Sequence, residues 1–373
     1  MGERMRVLVA NIPLPSNRFL VDLNTALARH CDVTHSSDEF WNRQGDYDVI
    51  HLHFPEYMTF ELQDAYRDGL TDSLIEATKS RLEFWARRAI IVVTRHVLLP
   101  HDALSDPQWE RMYEAVYAHA DGVAHFGKPS IEEFNNRYRD TNFFRAHRPQ
   151  HVVIPHQNYA SLPYGISRNA ARAQLRIPSD ARVMLVFGAI RNDRERGLIM
   201  TTFNALPGRN VLLASKWRET SANVSWIRLQ RWIRNVRRLR YRLGRRYRFN
   251  YSFVEENDAQ KYLAAADVLF IPRLRVLNSG NITLGMTFGV VVVGPDSLDV
   301  GELLKSTGNP VFDPADPSTA STAVTEGFRL AAEGKRGPAN RALALSEWDT
   351  DHCAALYVQF FRELTARTSA KTF

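Results

Sequence analysis

The stretch from residue 267 to residue 296 constrains this chain more than any other. A short apolar run, Val268-Leu269-Phe270-Ile271, stands between Asp267 and Pro272 and predicts a buried strand. It gives way to Asn278-Ser279-Gly280-Asn281, small polar residues that mark a loop. Gly280 is expected there to take a positive φ and to let the backbone approach a ligand closely. Residues 282–288 then read as a helix, capped by Ser279 or Asn281 and ended by Gly289 ahead of a second apolar run at 290–293. A strand, a small-residue loop and a helix N-terminus in that order present N–H groups and a positive dipole end, which suits a phosphate. An ordinary strand-turn-helix has the same outline, so the rest of the chain must decide.

The same alternation recurs along all 373 residues. Strands are expected at 6–11, 49–54, 89–93 and 122–125, interleaved with helices at 19–30, 71–88 and 107–120. A second series has a short helix at 170–175 and strands at 183–188, 210–214, 268–271 and 290–293. Strands alternating with helices at this spacing predict parallel βαβ units and an α/β fold. Two such series predict two Rossmann-like domains, residues 1–165 and 166–348, with a terminal helix within 349–373 returning to the first. A chain that is 45% hydrophobic supplies enough apolar surface for two cores. Cys31 and Cys353 lie far apart and without metal-ligand spacing, so a reducing compartment with no structural disulfide is expected. The six residues before Val7 are too few for a signal peptide, and no stretch is long enough to cross a bilayer, which predicts a cytoplasmic protein.

The formal net charge is +7, and its distribution matters more than its sum. Between Trp226 and Arg248 there are ten arginines and no acidic residue. Leu229, Trp232, Ile233, Val236, Leu239 and Leu243 recur at steps of three and four, so they share one helix face. A basic helix with an apolar Trp/Leu face suits the surface of an anionic membrane, and a peripheral position on its inner face is the expectation. A helix docked on the protein's own core would have the same pattern. A nucleic-acid-associated protein is the third and least favoured alternative, and no nucleic-acid partner is expected, because no recognised nucleic-acid fold accompanies the patch.

Histidines gather where strands end: His51 and His53 with Glu56 after them, His96 and His101, His125, and His156. Ligands of parallel α/β sheets bind beyond the carboxyl ends of the strands, which makes these positions candidates as a group. His51 and His53 share a strand face, but nothing fixes a third ligand, so no metal site is expected. After the strand at 183–187 comes Gly188-Ala189-Ile190-Arg191-Asn192-Asp193-Arg194-Glu195-Arg196. A glycine at a strand end, then arginines ahead of a helix, suits a diphosphate, although a solvated charged turn has the same composition.

Taken in order, His51-Leu52-His53, Thr94-Arg95-His96, Ile154-Pro155-His156, Gly188-Ala189-Ile190-Arg191 and Ala264-Ala265-Ala266-Asp267-Val268 resemble the GT-B glycosyltransferases of family 4. The resemblance is to bacterial enzymes of exopolysaccharide and lipid-linked glycan synthesis, and it runs from Val7 to about residue 314. It implies two Rossmann-like domains facing a cleft, the second holding a UDP- or GDP-linked sugar. It also implies retaining hexosyl transfer to a glycan or lipid-linked acceptor without metal or cofactor, basic side chains and helix N-termini taking the metal's electrostatic part. Arg191 then matches the phosphate-binding arginine, and Arg196, with Arg194 competing, matches a lysine of the pattern. His125 falls where a histidine contacts the donor sugar near its anomeric carbon. The turn of Asn278, Ser279, Gly280 and Asn281 matches the one whose amides hold the diphosphate. Glu256 is expected near the base and ribose, and His96, His101 and Asp102 on the acceptor side. The family's paired glutamates fall on Val276 and Leu284, neither of which accepts a hydrogen bond from a hydroxyl. That departure bears on donor sugar and stereochemistry, and it leaves open a sugar- or nucleotide-binding protein without transfer activity.

Overall fold

The computed structural model describes residues 4–100, 103, 106–146, 148–218, 236, 238, 239, 241, 244–252 and 254–371. It divides into two compact units, Met1–Gln157 with Trp348–Phe373, and Asn158–Glu347.

The first unit is built on six parallel strands: β1 (Arg6–Val9), β2 (Asp32–His35), β3 (Val49–Leu52), β4 (Ile90–Thr94), β5 (Gly122–His125) and β6 (Gln150–Val153). Their order across the sheet is β2-β1-β3-β4-β5-β6. Every residue of β3, β4 and β5 is buried, as expected of parallel strands covered on both faces. One face packs Trp85, Trp109, Tyr113 and Phe134. The other packs Phe19, Leu23 and Leu27 from the helix Arg18–Leu27 against Tyr357, Phe361 and Leu364 from the terminal helix Thr350–Lys371. A Cβ on Gly122 would lie 2.6 Å from Leu364 and Phe360 side-chain atoms, so glycine is what lets that helix settle on β5.

The second unit holds β7 (Arg182–Val186), β8 (Asn210–Ala214), β9 (Tyr247–Phe249), β10 (Val268–Phe270), β11 (Val291–Pro295) and β12 (Val311–Phe312). Their order is β12-β11-β10-β7-β8-β9, again parallel throughout. From β7 the chain moves outward through β8 and β9, then returns to lay β10 on the other side of β7. The strand direction of travel therefore reverses between β7 and β10, the position where open α/β sheets bind ligands beyond their carboxyl ends. Asp267 fixes the opposite end of this pair: its carboxylate accepts from Val183 N at 2.7 Å and Arg172 Nη2 at 2.8 Å.

The eight strands read from apolar runs are the inner strands of both sheets; β2, β6, β9 and β12, which that reading lacks, are the four edges. An edge strand has one neighbour and a half-wet flank, so its sequence mixes polar with apolar residues, and the burial of β2, β6 and β9 is correspondingly partial.

Most of residues 226–248 lie outside the described residues. Of those described, Val236 and Leu239 are exposed, and the Arg238 guanidinium stands 4.5 Å over the Tyr251 ring. Tyr241 packs edge-on against Trp217, which stacks on Phe249 at 4.0 Å. Among the described residues no helix is long and apolar enough to cross a membrane.

Candidate functional site

At the carboxyl ends of β7 and β10 the second unit assembles three polar loops. After β7, Gly188 takes φ 85°, and a Cβ built on it would meet nothing within 4 Å. The space above this backbone is therefore open. The Gly188 N–H donates to Ser215 Oγ, just past β8, at 2.8 Å. On the other flank, Asn281 Nδ2 donates to the Phe187 carbonyl at 2.9 Å, tying this loop to the start of the helix Gly280–Thr287.

Two helices begin here, and they differ in what answers their dipoles. The helix Asp193–Ala205 is answered by the protein itself. Asn192 caps it by accepting from Glu195 N at 2.9 Å, and Glu195 Oε2 accepts from Arg191 N at 2.9 Å. Asp193 and Glu195 both lie in its first turn. The helix Gly280–Thr287 has no acidic residue in its first turn and no side-chain cap. Ser279 holds the capping position, but its hydroxyl accepts from Arg273 Nη1 at 3.2 Å, and Asn281 is committed to Phe187. An anion at this end is thus better served by the second helix than by the first.

Gly280 itself differs from expectation. It does not take a positive φ; it is the first residue of the helix. Gly188 before the site and Gly289 after the helix are the glycines that take a positive φ around this loop. Gly289 closes the helix as expected, with Gly289 N donating to Met286 O at 3.0 Å and Val290 N to Gly285 O at 2.9 Å.

The arginines singled out by pattern take different places. Arg196 Nε reaches Asp193 Oδ1 at 3.4 Å, Arg194 is exposed, and Arg191 joins the cap through its backbone while its carbonyl accepts from Arg218. Arg273, two residues beyond Ile271, was not singled out. Its side chain is only 13% exposed and lies between Ser279 and Glu195. Burial pulls its pKa down, and the Glu195 carboxylate opposes that. An arginine placed straight after Pro272, where a buried strand ends, was the available signal. For Glu195 it was the Asn192-x-x-Glu195 spacing of a capping box. Val276 and Leu284 are both buried, so neither position turns a polar group toward this site. Glu256 opens the helix Glu256–Ala265 and is half-buried, and Asn278 is half-buried in the loop before Ser279.

In the first unit the histidines do collect at the carboxyl ends of the strands, but they face inward. His53 Nδ1 meets His96 Nε2 at 3.0 Å, His51 Nε2 meets Thr94 Oγ1 at 2.8 Å, and Phe19 packs against both His96 and His156. His125, expected at a donor sugar, is fully buried, with Nδ1 on Ser130 Oγ at 2.7 Å and Nε2 on His151 Nδ1 at 2.9 Å. Both ring nitrogens make their hydrogen bonds inside the unit. Burial lowers the pKa of His51 to about 3 and of His156 to about 4, and pushes those of His53 and His96 well down. His101 and Asp102 lie outside the described residues. Among the described residues no three of His, Cys, Asp or Glu converge to hold a metal.

Solved structures share this architecture over nearly the whole chain. Sucrose-phosphate synthase from Thermosynechococcus elongatus matches with a TM-score of 0.64 at 17% identity, covering 98% of this chain and 100% of that one. HepE from Anabaena, solved in complex with UDP-glucose, matches with a TM-score of 0.65 at 14% identity, covering 96% and 100%. A UDP-forming α,α-trehalose-phosphate synthase from Burkholderia vietnamiensis matches with a TM-score of 0.63 at 12% identity, covering 99% and 99%. The chain has the GT-B fold. Two parallel six-stranded sheets, one per unit, are its GT-B frame. No family model matches the sequence, and no curated protein matches it.

Proposed function

We propose that this chain is a glycosyltransferase that moves a hexose from a UDP- or GDP-linked donor to a lipid-linked or polysaccharide acceptor. The observation that carries the reading is the uncapped start of the helix Gly280–Thr287, set beside the open backbone of Gly188 and a half-buried arginine where the strand order reverses. Negative charge grows on the leaving diphosphate as the glycosidic bond breaks, and fixed N–H dipoles and guanidinium groups stabilise that charge without reorganising. The same groups take the place of a divalent cation, so transfer is metal-independent in this proposal. That HepE was solved with UDP-glucose supports the donor class. The arginine-rich sequence at 226–248 supports an acceptor held at a membrane. Retention of configuration is part of the proposal and rests on the resemblance to family 4.

The test is release of UDP or GDP from a panel of sugar nucleotides in the presence of a chelator, with and without glycan acceptors. Turnover in chelator supports the proposal; binding without turnover favours a non-catalytic sugar-nucleotide-binding protein. The burial of Val276 and Leu284, which leaves no carboxylate at either position, gives that second reading its footing.

A further inference from the structure

The donor site contains a cation whose surroundings are incomplete. Arg273 Nη1 donates to Ser279 Oγ at 3.2 Å, but its Nε is buried and makes no hydrogen bond. Glu195 Oε1 lies 3.7 Å from that Nε, close enough to pair by charge and too far to bond. Glu195 is 10% exposed, and its other oxygen is committed to the backbone of Arg191. A buried ion pair recovers its desolvation cost only with good geometry and satisfied donors, and this one has neither. The contact that orients the guanidinium also engages the one hydroxyl positioned to cap the helix Gly280–Thr287. A guanidinium with one unbonded donor and a helix start with no side-chain cap are therefore joined through Ser279.

We propose that Arg273 is the diphosphate-binding cation of this site and that Glu195 is its counterion while the site is empty. The assignment rests on the donor-site reading above. A diphosphate supplies paired oxygens for the planar guanidinium fork and for the helix amides at once. To do so it must take the guanidinium from Glu195, which disfavours ligands of lower charge. Nucleoside diphosphates are thus preferred over the matching monophosphates.

Calorimetric titration of the full chain with UDP, GDP, UMP and uridine tests this. Arg273→Gln is expected to weaken UDP or GDP at least about tenfold while leaving uridine unchanged, the loss expected of a charge-assisted contact. Glu195→Gln is expected to tighten the diphosphate and narrow the gap between UDP and UMP. Because Arg273→Gln alone leaves Glu195 buried without a counterion, the double variant R273Q/E195Q restores neutrality and should show the same loss with a cooperative melt. If the parent binds UDP or GDP and Arg273→Gln binds it within about twofold, the donor reading stands and this assignment falls. Equal losses for uridine and UDP overturn it as well, and a Glu195→Gln variant with unchanged affinity overturns the counterion role. A parent that binds neither diphosphate removes the donor reading itself, and the assignment with it.

Discussion

Gly188 takes φ 85° with open space around the missing Cβ, so conformation rather than crowding requires glycine there. Gly188→Ala is expected to cost about 1 kcal/mol of stability, the penalty of the left-handed region for an L residue, and to weaken UDP binding by turning the strand end. Urea unfolding with and without UDP checks both; unchanged stability would mean the loop relaxes to another φ. Gly280 was the glycine that the local sequence pointed to, and it proved to be an ordinary first turn of helix. Arg273 shows the converse. Its place after Pro272 marks a strand end but not what the guanidinium meets, because its partners Glu195 and Ser279 come from two other segments.

At the scale of elements, the start of the helix Asp193–Ala205 is a closed arrangement in which Asn192 and Glu195 each satisfy a backbone N–H. Asn192→Ala is expected to cost about 1 kcal/mol, the usual worth of such a cap, read as a shift in the urea midpoint at unchanged slope. The helix Arg336–Glu347 makes a tighter demand. A Cβ on Gly337 would collide with the backbone oxygen of Gly289, which cannot swing aside as a side chain can. Gly337→Ala should push this helix off the turn that ends Gly280–Thr287, at a cost of about 1–3 kcal/mol. A variant as stable as the parent would show that the two elements separate freely.

For the molecule as a whole, the buried histidines set a pH dependence. Burial lowers the pKa of His51 to about 3 and of His151 and His156 to about 4, while the ordinary value is 6.5. The unfolded chain therefore takes up protons first as pH falls. This contribution is complete above about pH 6.5 and is lost on acidification, at up to about 1.4 kcal/mol per pH unit for each histidine until its folded pKa is reached. Glu56, raised by burial, works in the opposite direction, but it is a single group. Thermal unfolding should show a midpoint that holds from pH 7.5 to about pH 6.5 and falls from there to pH 5; a flat profile down to pH 5 would mean that these imidazoles are solvated in the native state. The arginine-rich segment makes a separate prediction. Replacing Arg231, Arg234, Arg238 and Arg242 with Gln should reduce flotation with anionic liposomes, since each basic residue contributes about 1 kcal/mol at most near such a surface. A parent chain that does not float at low salt ends the membrane proposal.

The inner strands, their parallel pairing and the end of the helix at Gly289 were legible in the chain itself, because each depends on residues adjacent in sequence. Apolar runs such as Val290-Val291-Val292-Val293 report burial on both faces wherever they lie in the sheet, and a glycine after a helix reports its own backbone. Strand order was not legible, and it is strand order that places β10 beside β7 and makes their carboxyl ends a site. The fate of polar groups was not legible either. His125 and Arg273 each end up among partners distant in sequence: one has both nitrogens satisfied by Ser130 and His151, the other keeps a buried Nε without a bond. Hydrophobic periodicity is a local signal because every apolar residue seeks the same environment. Whether a charged or polar side chain is satisfied depends on which particular partner the tertiary fold brings within about 3 Å of it.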